Sequence, residues 1–193
     1  MKQTGIPTFV IFSGLPGTGK STLANCLSRE LQWPLLRIDD VAGTIPENAD
    51  YHFWDEKVSL LLSIAEEQLK LGISVIADSI FMGADRLHAQ EISGNQGALF
   101  RPVYCYLSDE RIWEKRVNER VESFQHSSIT SWEQINHQSQ WFAPWKSGTG
   151  LFIDAVDPVE QNYAEVIEFV SDPTFSLEPL EVNTPLVRGQ YHA

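Results

Sequence analysis

The fold is decided by residues 14–21, which read Gly-Leu-Pro-Gly-Thr-Gly-Lys-Ser. This stretch fits the pattern G-x-x-x-x-G-K-[ST] at every position. The apolar run 8–12 directly before it predicts a strand that is buried on both faces. The apolar residues after it recur at helical spacing as far as Leu31, and Pro34 ends that pattern. A buried strand, a glycine-rich turn and an amphipathic helix in this order predict a phosphate-binding loop.

The residue types of this loop suit a nucleotide with bound Mg²⁺. Glycines let backbone N–H groups converge on one point without obstruction by Cβ atoms, and the helix that follows directs its positive end to the same point. Lys20 can reach the β- and γ-phosphates, and the Ser21 hydroxyl can ligate Mg²⁺. The predicted nucleotide-binding residues are Gly14, Pro16, Gly17, Thr18, Gly19, Lys20, Ser21 and Thr22.

The rest of the chain alternates short apolar runs with helical patterns, which predicts a parallel sheet covered by helices. The further predicted strands cover residues 35–38, 73–77, 102–107 and 151–153. Three helix starts are also predicted, one of them from the capping-box pattern of Ser131 and Gln134. Ser108 is the expected cap of one helix, and Asp157 is the expected cap of another, in which Val159 begins the buried stripe.

Composition limits the function classes. The chain has 193 residues, which fits one domain, and its formal net charge is −12. So acidic a protein repels phosphate backbones and anionic lipid at long range, which disfavours nucleic acid and membrane surfaces as partners. Residues 151–193 carry eight acidic residues and one basic residue. We expect a domain over residues 1–172 and an acidic tail that contains prolines over residues 173–193.

The cysteine count and the apolar runs bear on the compartment. Cys26 and Cys105 cannot build a disulfide framework, and both are expected to be buried thiols. The first residues lack the pattern of a signal peptide, and the longest apolar run is too short to span a membrane. These features predict a cytoplasmic protein without a membrane partner.

Two strand ends offer a second carboxylate for the magnesium site. Asp78 follows the apolar run 73–77, and Asp154 follows the run 151–153. Because ligands gather at the carboxyl ends of parallel strands, both residues are candidates. We favour Asp78, and Asp154 remains the alternative.

Asp39 and Asp40 follow the second predicted strand. In a kinase, a carboxylate at this point orients the acceptor hydroxyl and takes its proton. Two adjacent carboxylates point in different directions, so we expect one of them to act. We favour Asp39 over Asp40.

Arg116 and Arg120 are four residues apart and share one helix face. Phosphoryl transfer spreads charge over oxygens that arginines can offset, so both are predicted catalytic residues. The loop 122–130 is a candidate hinge for this element as a lid. Aromatic residues cluster downstream and are open to two interpretations, a packed wall under the lid or part of an acceptor pocket. They are Trp132, Trp141, Phe142 and Trp145.

These motifs and their order resemble the small P-loop kinases over about residues 7–170. The chain is similar in particular to the predicted kinases related to zeta toxins, chloramphenicol phosphotransferase and the kinase domain of polynucleotide kinase. The resemblance implies an α/β, three-layer P-loop NTPase-type fold, with a five-stranded parallel sheet of order 2-3-1-4-5 and a helical lid at about residues 109–146. It also implies ATP and Mg²⁺ as cofactors and transfer of the γ-phosphate to a hydroxyl. Asp39 matches the family's acid after the second strand, Asp78 its magnesium-side carboxylate, and Arg116 and Arg120 its lid arginines.

One position departs from the resemblance. Polynucleotide kinases of this group carry an arginine three residues beyond the acid, where this chain has Ala42, or Gly43 if Asp40 is the match. We therefore expect a small-molecule acceptor and a monomer or homodimer. Two alternatives stay open: a polynucleotide or RNA 5′-hydroxyl kinase, and a nucleotide-binding regulatory module without transfer activity.

Overall fold

The structure, a computed structural model, describes residues 5–43, 53–123, 131–140, 142, 148–172 and 174–175. Strands and helices alternate along this part of the chain, as the sequence predicts. The elements are β1 (Thr8–Ser13), α1 (Lys20–Leu31), β2 (Leu35–Arg37), α2 (Ile38–Gly43), α3 (Phe53–Lys70), β3 (Val75–Asp78), α4 (Gly83–Asn95), β4 (Leu99–Tyr106), α5 (Glu110–Ser123), α6 (Trp132–Ser139), β5 (Leu151–Asp154) and α7 (Val159–Ser171).

The strands form one five-stranded parallel sheet in the order β2-β3-β1-β4-β5. β1 lies at the centre and pairs with β3 on one side and with β4 on the other. β2 and β5 are the edge strands. The predicted strand order is confirmed. Since all strands run in parallel, their carboxyl ends share one edge of the sheet, where the loops can form a site.

The core lies on both faces of the sheet, which is why β1 reads as one continuous apolar run. Side chains alternate between the two faces along a strand. Phe9 and Ile11 pack with residues of α3 and α4. Val10 and Phe12 pack on the other face, with residues of α1 and α7. The sheet is therefore the middle of three layers, and β1 holds the loop that follows it rigidly in place.

The predicted end of the second strand is wrong. β2 ends at Arg37, and Ile38–Gly43 forms a short helix, so Asp39 and Asp40 lie in its first turn. Carboxylates are favourable at this end of a helix, because the unpaired backbone N–H groups are positive there. The loop predicted over 41–52 is thus helical as far as Gly43, and its remainder up to residue 52 lies outside the described residues.

β4 begins at Leu99, three residues before its predicted start at residue 102. It pairs with β1 from Leu99 onward, whereas β5 joins it only from Val103. Pro102 has no N–H to donate and stands at the last position before the pairing with β5 begins. A Cβ atom at Gly150 would lie 2.5 Å from the Pro102 carbonyl oxygen, so the chain enters β5 in close contact with this proline.

The predicted capping box of Ser131 and Gln134 is confirmed at the start of α6, whereas the other two predicted helix starts are off by one residue. The cap of α5 is Asp109 instead of Ser108, because its Oδ1 accepts the backbone N–H groups of Arg111 (2.9 Å) and Ile112 (3.2 Å). α7 begins at Val159 after Pro158, and Asp157 makes no cap. Val159 therefore lies in the first turn and is 45% exposed, so its predicted place in the buried stripe is wrong.

Two further predictions can be compared with the structure. Cys105 is buried, as expected, whereas Cys26 is half-buried. Of the helices that the structure describes, none has both the length and the apolar character that a membrane span requires.

Candidate nucleotide-binding site

The loop between β1 and α1 is built around close backbone contacts. Gly14 has a φ of +143°, and a Cβ atom there would lie 2.2 Å from the carbonyl oxygen of Cys105 on β4. No other residue type fits at that distance. The Thr18 hydroxyl donates to the Leu15 carbonyl at 2.8 Å and closes the loop on itself. Lys20 and Ser21 follow as the first residues of α1.

Asp78 lies beside this loop because β3 pairs with β1 and places it opposite Phe12. Its side chain is buried, with 3% exposure. Burial raises the pKa of the Asp78 carboxyl, while the charge of Lys20 and a hydrogen bond from the Ser21 hydroxyl act in the opposite direction. Its Oδ1 has no hydrogen-bond partner among the described residues.

These residues fit a magnesium ion. Mg²⁺ prefers oxygen ligands and is commonly held by one or two carboxylates together with waters and substrate phosphates. Ser21 and Asp78 offer a hydroxyl and a buried carboxylate with one unpaired oxygen, next to the predicted phosphate site. The donor set therefore matches the ion that the sequence predicts.

Asp154, the other candidate for the magnesium-side carboxylate, differs from Asp78 in its hydrogen-bond partners. Its Oδ1 accepts the backbone N–H groups of Ser108 and Val156, each at 3.1 Å. Burial acts to raise the pKa of Asp154, but hydrogen bonds from Ser108 and Val156 outweigh it, and the pKa is lowered. Asp154 thus links the turn after β4 to the turn after β5.

Asp39 and Asp40 also differ in their partners. Arg37 donates to both carboxylate oxygens of Asp40, from Nε at 2.8 Å and from a terminal nitrogen at 3.1 Å. Asp39 instead lies 3.9 Å from the guanidinium of Arg120 on α5. Asp40 is therefore held by its own strand and helix, while Asp39 faces the helix that carries the predicted lid arginines.

A pocket of about 290 Å³ lies between the loop and α5. Residues 17–23 form one side of it, Arg116 and Arg120 form another, and the turn into α7 closes it with Ala155, Asp157 and Asn162. The structure thus brings together the predicted phosphate loop and both predicted arginines. Asn162 supports the turn by donating to the carbonyl oxygen of Asp154 at 3.0 Å.

One contact in the site is missed by the sequence interpretation. The indole Nε1 of Trp113 on α5 donates to the carbonyl oxygen of Pro16 in the loop at 2.8 Å. The spacing of Trp113, Arg116 and Arg120 places the three residues on one helix face. This spacing does not identify Pro16 as the partner of Trp113, because the two bonded residues are 97 positions apart.

The aromatic cluster can be assessed for two of its four members. Trp132 meets Trp113 edge-on, with ring centroids 5.4 Å apart. Phe142 is buried and stacks on Tyr104 at 6.0 Å. Both contacts favour the interpretation as a packed wall. Trp141 and Trp145 lie outside the described residues, as do most of the candidate hinge 122–130 and most of the tail 173–193.

The fold and this loop define the class of P-loop nucleotide-binding proteins. Within that class, residues 9–145 match the model of a family described as an AAA domain. The match covers more than half of the chain, and the protein belongs to this family. No curated protein matches the chain.

Solved structures with the same fold include several kinases. A candidate kinase from Chloroflexus aurantiacus is 23% identical, with a TM-score of 0.66 over 86% of this chain and 94% of the other. A gluconokinase from Sinorhizobium meliloti is 15% identical, with a TM-score of 0.62 over 86% and 92%. The APS kinase of Mycobacterium tuberculosis, in complex with AMPPNP and APS, is 18% identical, with a TM-score of 0.63 over 86% and 99%. At these identities the likeness establishes the fold.

Proposed function

We propose that the protein is a kinase that transfers the γ-phosphate of ATP to a hydroxyl of a small-molecule acceptor. The observation that carries the proposal is the shared pocket, in which Lys20 and Ser21 of the loop lie with Arg116 and Arg120 of α5. A loop that only binds phosphate needs no second set of cations, whereas phosphoryl transfer develops charge that such cations offset. Kinases among the structures with this fold support the same class.

Ser21 and Asp78 are the proposed holders of Mg²⁺, with Asp78 acting through a bound water. A bound Mg²⁺ would supply positive charge that offsets the negative charge of the phosphates. Asp78 is favoured over Asp154 because its Oδ1 has no other partner among the described residues. The Oδ1 of Asp154, by contrast, already accepts two backbone N–H groups.

Asp39 is the proposed base for the acceptor hydroxyl. It lies at the rim of the pocket, 3.9 Å from Arg120, which itself lines the pocket. Its side chain is 77% exposed and therefore open to a second substrate. Asp40 is less suited, because Arg37 holds both of its oxygens.

A small, hydroxyl-bearing acceptor is supported by two features. The net charge of −12 opposes a polyanionic acceptor such as a nucleic acid. The structures with this fold include a gluconokinase and a protein described as a sugar kinase. Within the P-loop kinases, we place the chain near the predicted kinases related to zeta toxins, chloramphenicol phosphotransferase and the polynucleotide kinase domain. Residues 1–172 would form the kinase domain, with the lid at about 109–146.

The proposal is tested by ADP release from MgATP, with and without pools of nucleosides, sugars, amino-alcohols and antibiotics. We expect one pool to stimulate release, and we expect Lys20→Ala to lose the stimulation because the cation at the phosphates is gone. Splitting the active pool then names the acceptor. Binding of ATP without stimulation by any pool would contradict a small-molecule kinase and favour the regulatory module. Stimulation by an oligonucleotide alone would favour the 5′-hydroxyl kinase.

A further inference from the structure

We propose that Trp113 is a positioning residue that holds the phosphate loop and the two pocket arginines in one working geometry. The inference deepens the proposed function and rests on it. Trp113 is half-buried and packs against the core on one side of the sheet. Its Nε1 donates to the Pro16 carbonyl at 2.8 Å, which joins α5 directly to the loop.

This hydrogen bond orients a phosphate-binding donor. The peptide unit that joins Pro16 to Gly17 is planar, and it is trans, because the described residues include no cis peptide bond. Fixing the direction of the Pro16 carbonyl therefore also fixes the Gly17 N–H, which points to the opposite side. Gly17 lines the nucleotide pocket, and backbone N–H groups of such a loop are its phosphate donors. The indole thus fixes the direction of the Gly17 N–H without contacting the nucleotide.

The packing around Gly17 leaves little freedom. Gly17 has a φ of +86°, and a Cβ atom there would lie 2.9 Å from Val117 Cγ2 and 3.0 Å from Trp113 Nε1. Trp113 and Val117 are one helical turn apart, so they meet the loop with the same face of α5. The loop and the helix therefore touch over a full turn, and a shift of one moves the other.

The same turn of α5 also determines where the two pocket arginines lie. Arg116 and Arg120 follow Trp113 at three and seven residues, on the face that meets the loop, and both line the pocket. Trp132 of α6 packs edge-on against Trp113 and fixes the plane of the indole from the far side. Trp113 is thus held by α6 and in turn holds α5 against the loop.

The test is Trp113→Phe, which keeps an aromatic ring and removes the N–H donor. With the acceptor found by the pool assay, we expect kcat to fall roughly 10- to 100-fold, because reacting groups that are misplaced by about 1 Å lose rate on this scale. KM for ATP should rise only about 2- to 5-fold, the size of one lost neutral hydrogen bond. Trp33→Phe is the matched control, because Trp33 is half-buried against the core on the opposite face of the sheet. It should leave both constants unchanged.

A double-mutant cycle separates positioning from mere packing. If Trp113 acts through the arginines, Trp113→Phe should lower kcat by less than about 2-fold when Arg116 and Arg120 are already alanine. Equal losses in both backgrounds would overturn the proposal. Thermal unfolding checks that each variant is folded. If Trp113→Phe is unstable, benzothienylalanine at position 113 keeps the ring shape, replaces only the N–H with sulfur, and gives the same comparison.

A binding cycle keeps this inference separate from the proposed function. Calorimetric titration with AMPPNP needs no acceptor and no transfer. Trp113→Phe should weaken AMPPNP binding about 2- to 5-fold, and this loss should remain in the background without the arginines, because Trp113 orients the Gly17 N–H directly through Pro16. If no acceptor stimulates ADP release, the proposed function fails, but this binding cycle still decides the role of Trp113. Unchanged AMPPNP affinity in Trp113→Phe would refute it.

Discussion

Asp78 and Asp39 belong to two halves of the proposed site, and these halves are built in different ways. Asp78 ends a central strand and is 3% exposed, beside a loop whose glycines fit against β4 and α5. Asp39 lies on a six-residue helix, and its side chain is 77% exposed. The proposed nucleotide side of the site is thus built from buried and closely packed residues, whereas the proposed acceptor side presents an exposed carboxylate. Under the proposed function, phosphate binding is fixed by the packed part of the fold and acceptor choice is made at the exposed edge of the pocket.

The first way to test this comparison is Asp39→Asn. Loss of a general base costs roughly 10²- to 10⁴-fold in rate, and we expect kcat to fall on this scale. Binding of AMPPNP should stay nearly unchanged, because the ion pair between Asp39 and Arg120 is exposed and such pairs contribute little. Acceptor-stimulated ADP release and calorimetry measure the two effects.

Asp40→Asn is the control for Asp39→Asn. Arg37 already donates hydrogen bonds to both carboxylate oxygens of Asp40, so kcat should change much less in this variant. A large loss of kcat in Asp40→Asn with an active Asp39→Asn would reverse the assignment of the base.

Asp78→Asn tests the buried half of the proposed site. We expect the Mg²⁺ concentration for half-maximal activity to rise roughly 10- to 100-fold, as happens when an outer-shell carboxylate is removed from a metal site. Because burial disfavours the ionised carboxyl, as its raised pKa indicates, the ligand-free variant should also be more stable at neutral pH. Activity against Mg²⁺ concentration and urea unfolding measure the two changes.

Asp154→Asn serves as the matched comparison for Asp78→Asn. The amide oxygen of asparagine can still accept from Ser108 and Val156, so the Mg²⁺ dependence should stay near that of the natural protein. If Asp154→Asn shifts the Mg²⁺ dependence and Asp78→Asn does not, the magnesium-side carboxylate is Asp154 and not Asp78.

The smallest expected effect concerns Cys105, whose carbonyl lies against Gly14. Burial raises the pKa of the Cys105 thiol from its ordinary value of 9.0 to about 12. The thiol therefore contributes stability below pH 9 that is lost as the pH rises from 9 to 12, where only the unfolded chain ionises. At pH 10.5 this contribution should have fallen by about 1–2 kcal/mol.

Urea unfolding at pH 8 and pH 10.5 measures this loss. The natural protein should lose more stability between the two values than Cys105→Ala, in which the buried thiol is absent. Cys26 is only half-buried, so Cys26→Ala should behave like the natural protein. An equal loss in all three proteins would mean that the strand under the loop is less closed than the structure indicates.

The buried half could be predicted from the sequence because its signals are local. The glycine pattern, the apolar run before it and the helical spacing after it all lie within residues 8–31. Asp78 could be placed because it directly follows an apolar run, and strands of this kind end at one edge of the sheet. The strand order 2-3-1-4-5 came from the resemblance to P-loop kinases, and the structure confirms it.

The half of the site around Asp39 is harder to predict. Adjacent residues there suit the same structural role, and the sequence pattern alone does not show which of them takes it. Asp39 and Asp40 extend a strand pattern, yet their charges favour the first turn of a helix. Ser108 and Asp109 are both good caps, and only the geometry shows that Asp109 receives the N–H groups. The bond from Trp113 to Pro16 joins distant parts of the chain, so no local spacing could reveal it.

Pro102 has a consequence for how the chain assembles. A strand that slips by one residue along its neighbour turns every side chain to the wrong face. Sliding β5 toward the start of β4 would set its backbone against a residue that cannot donate, at a point where only glycine passes. Pro102 and Gly150 therefore act as a stop that lets β5 add to the sheet in one alignment.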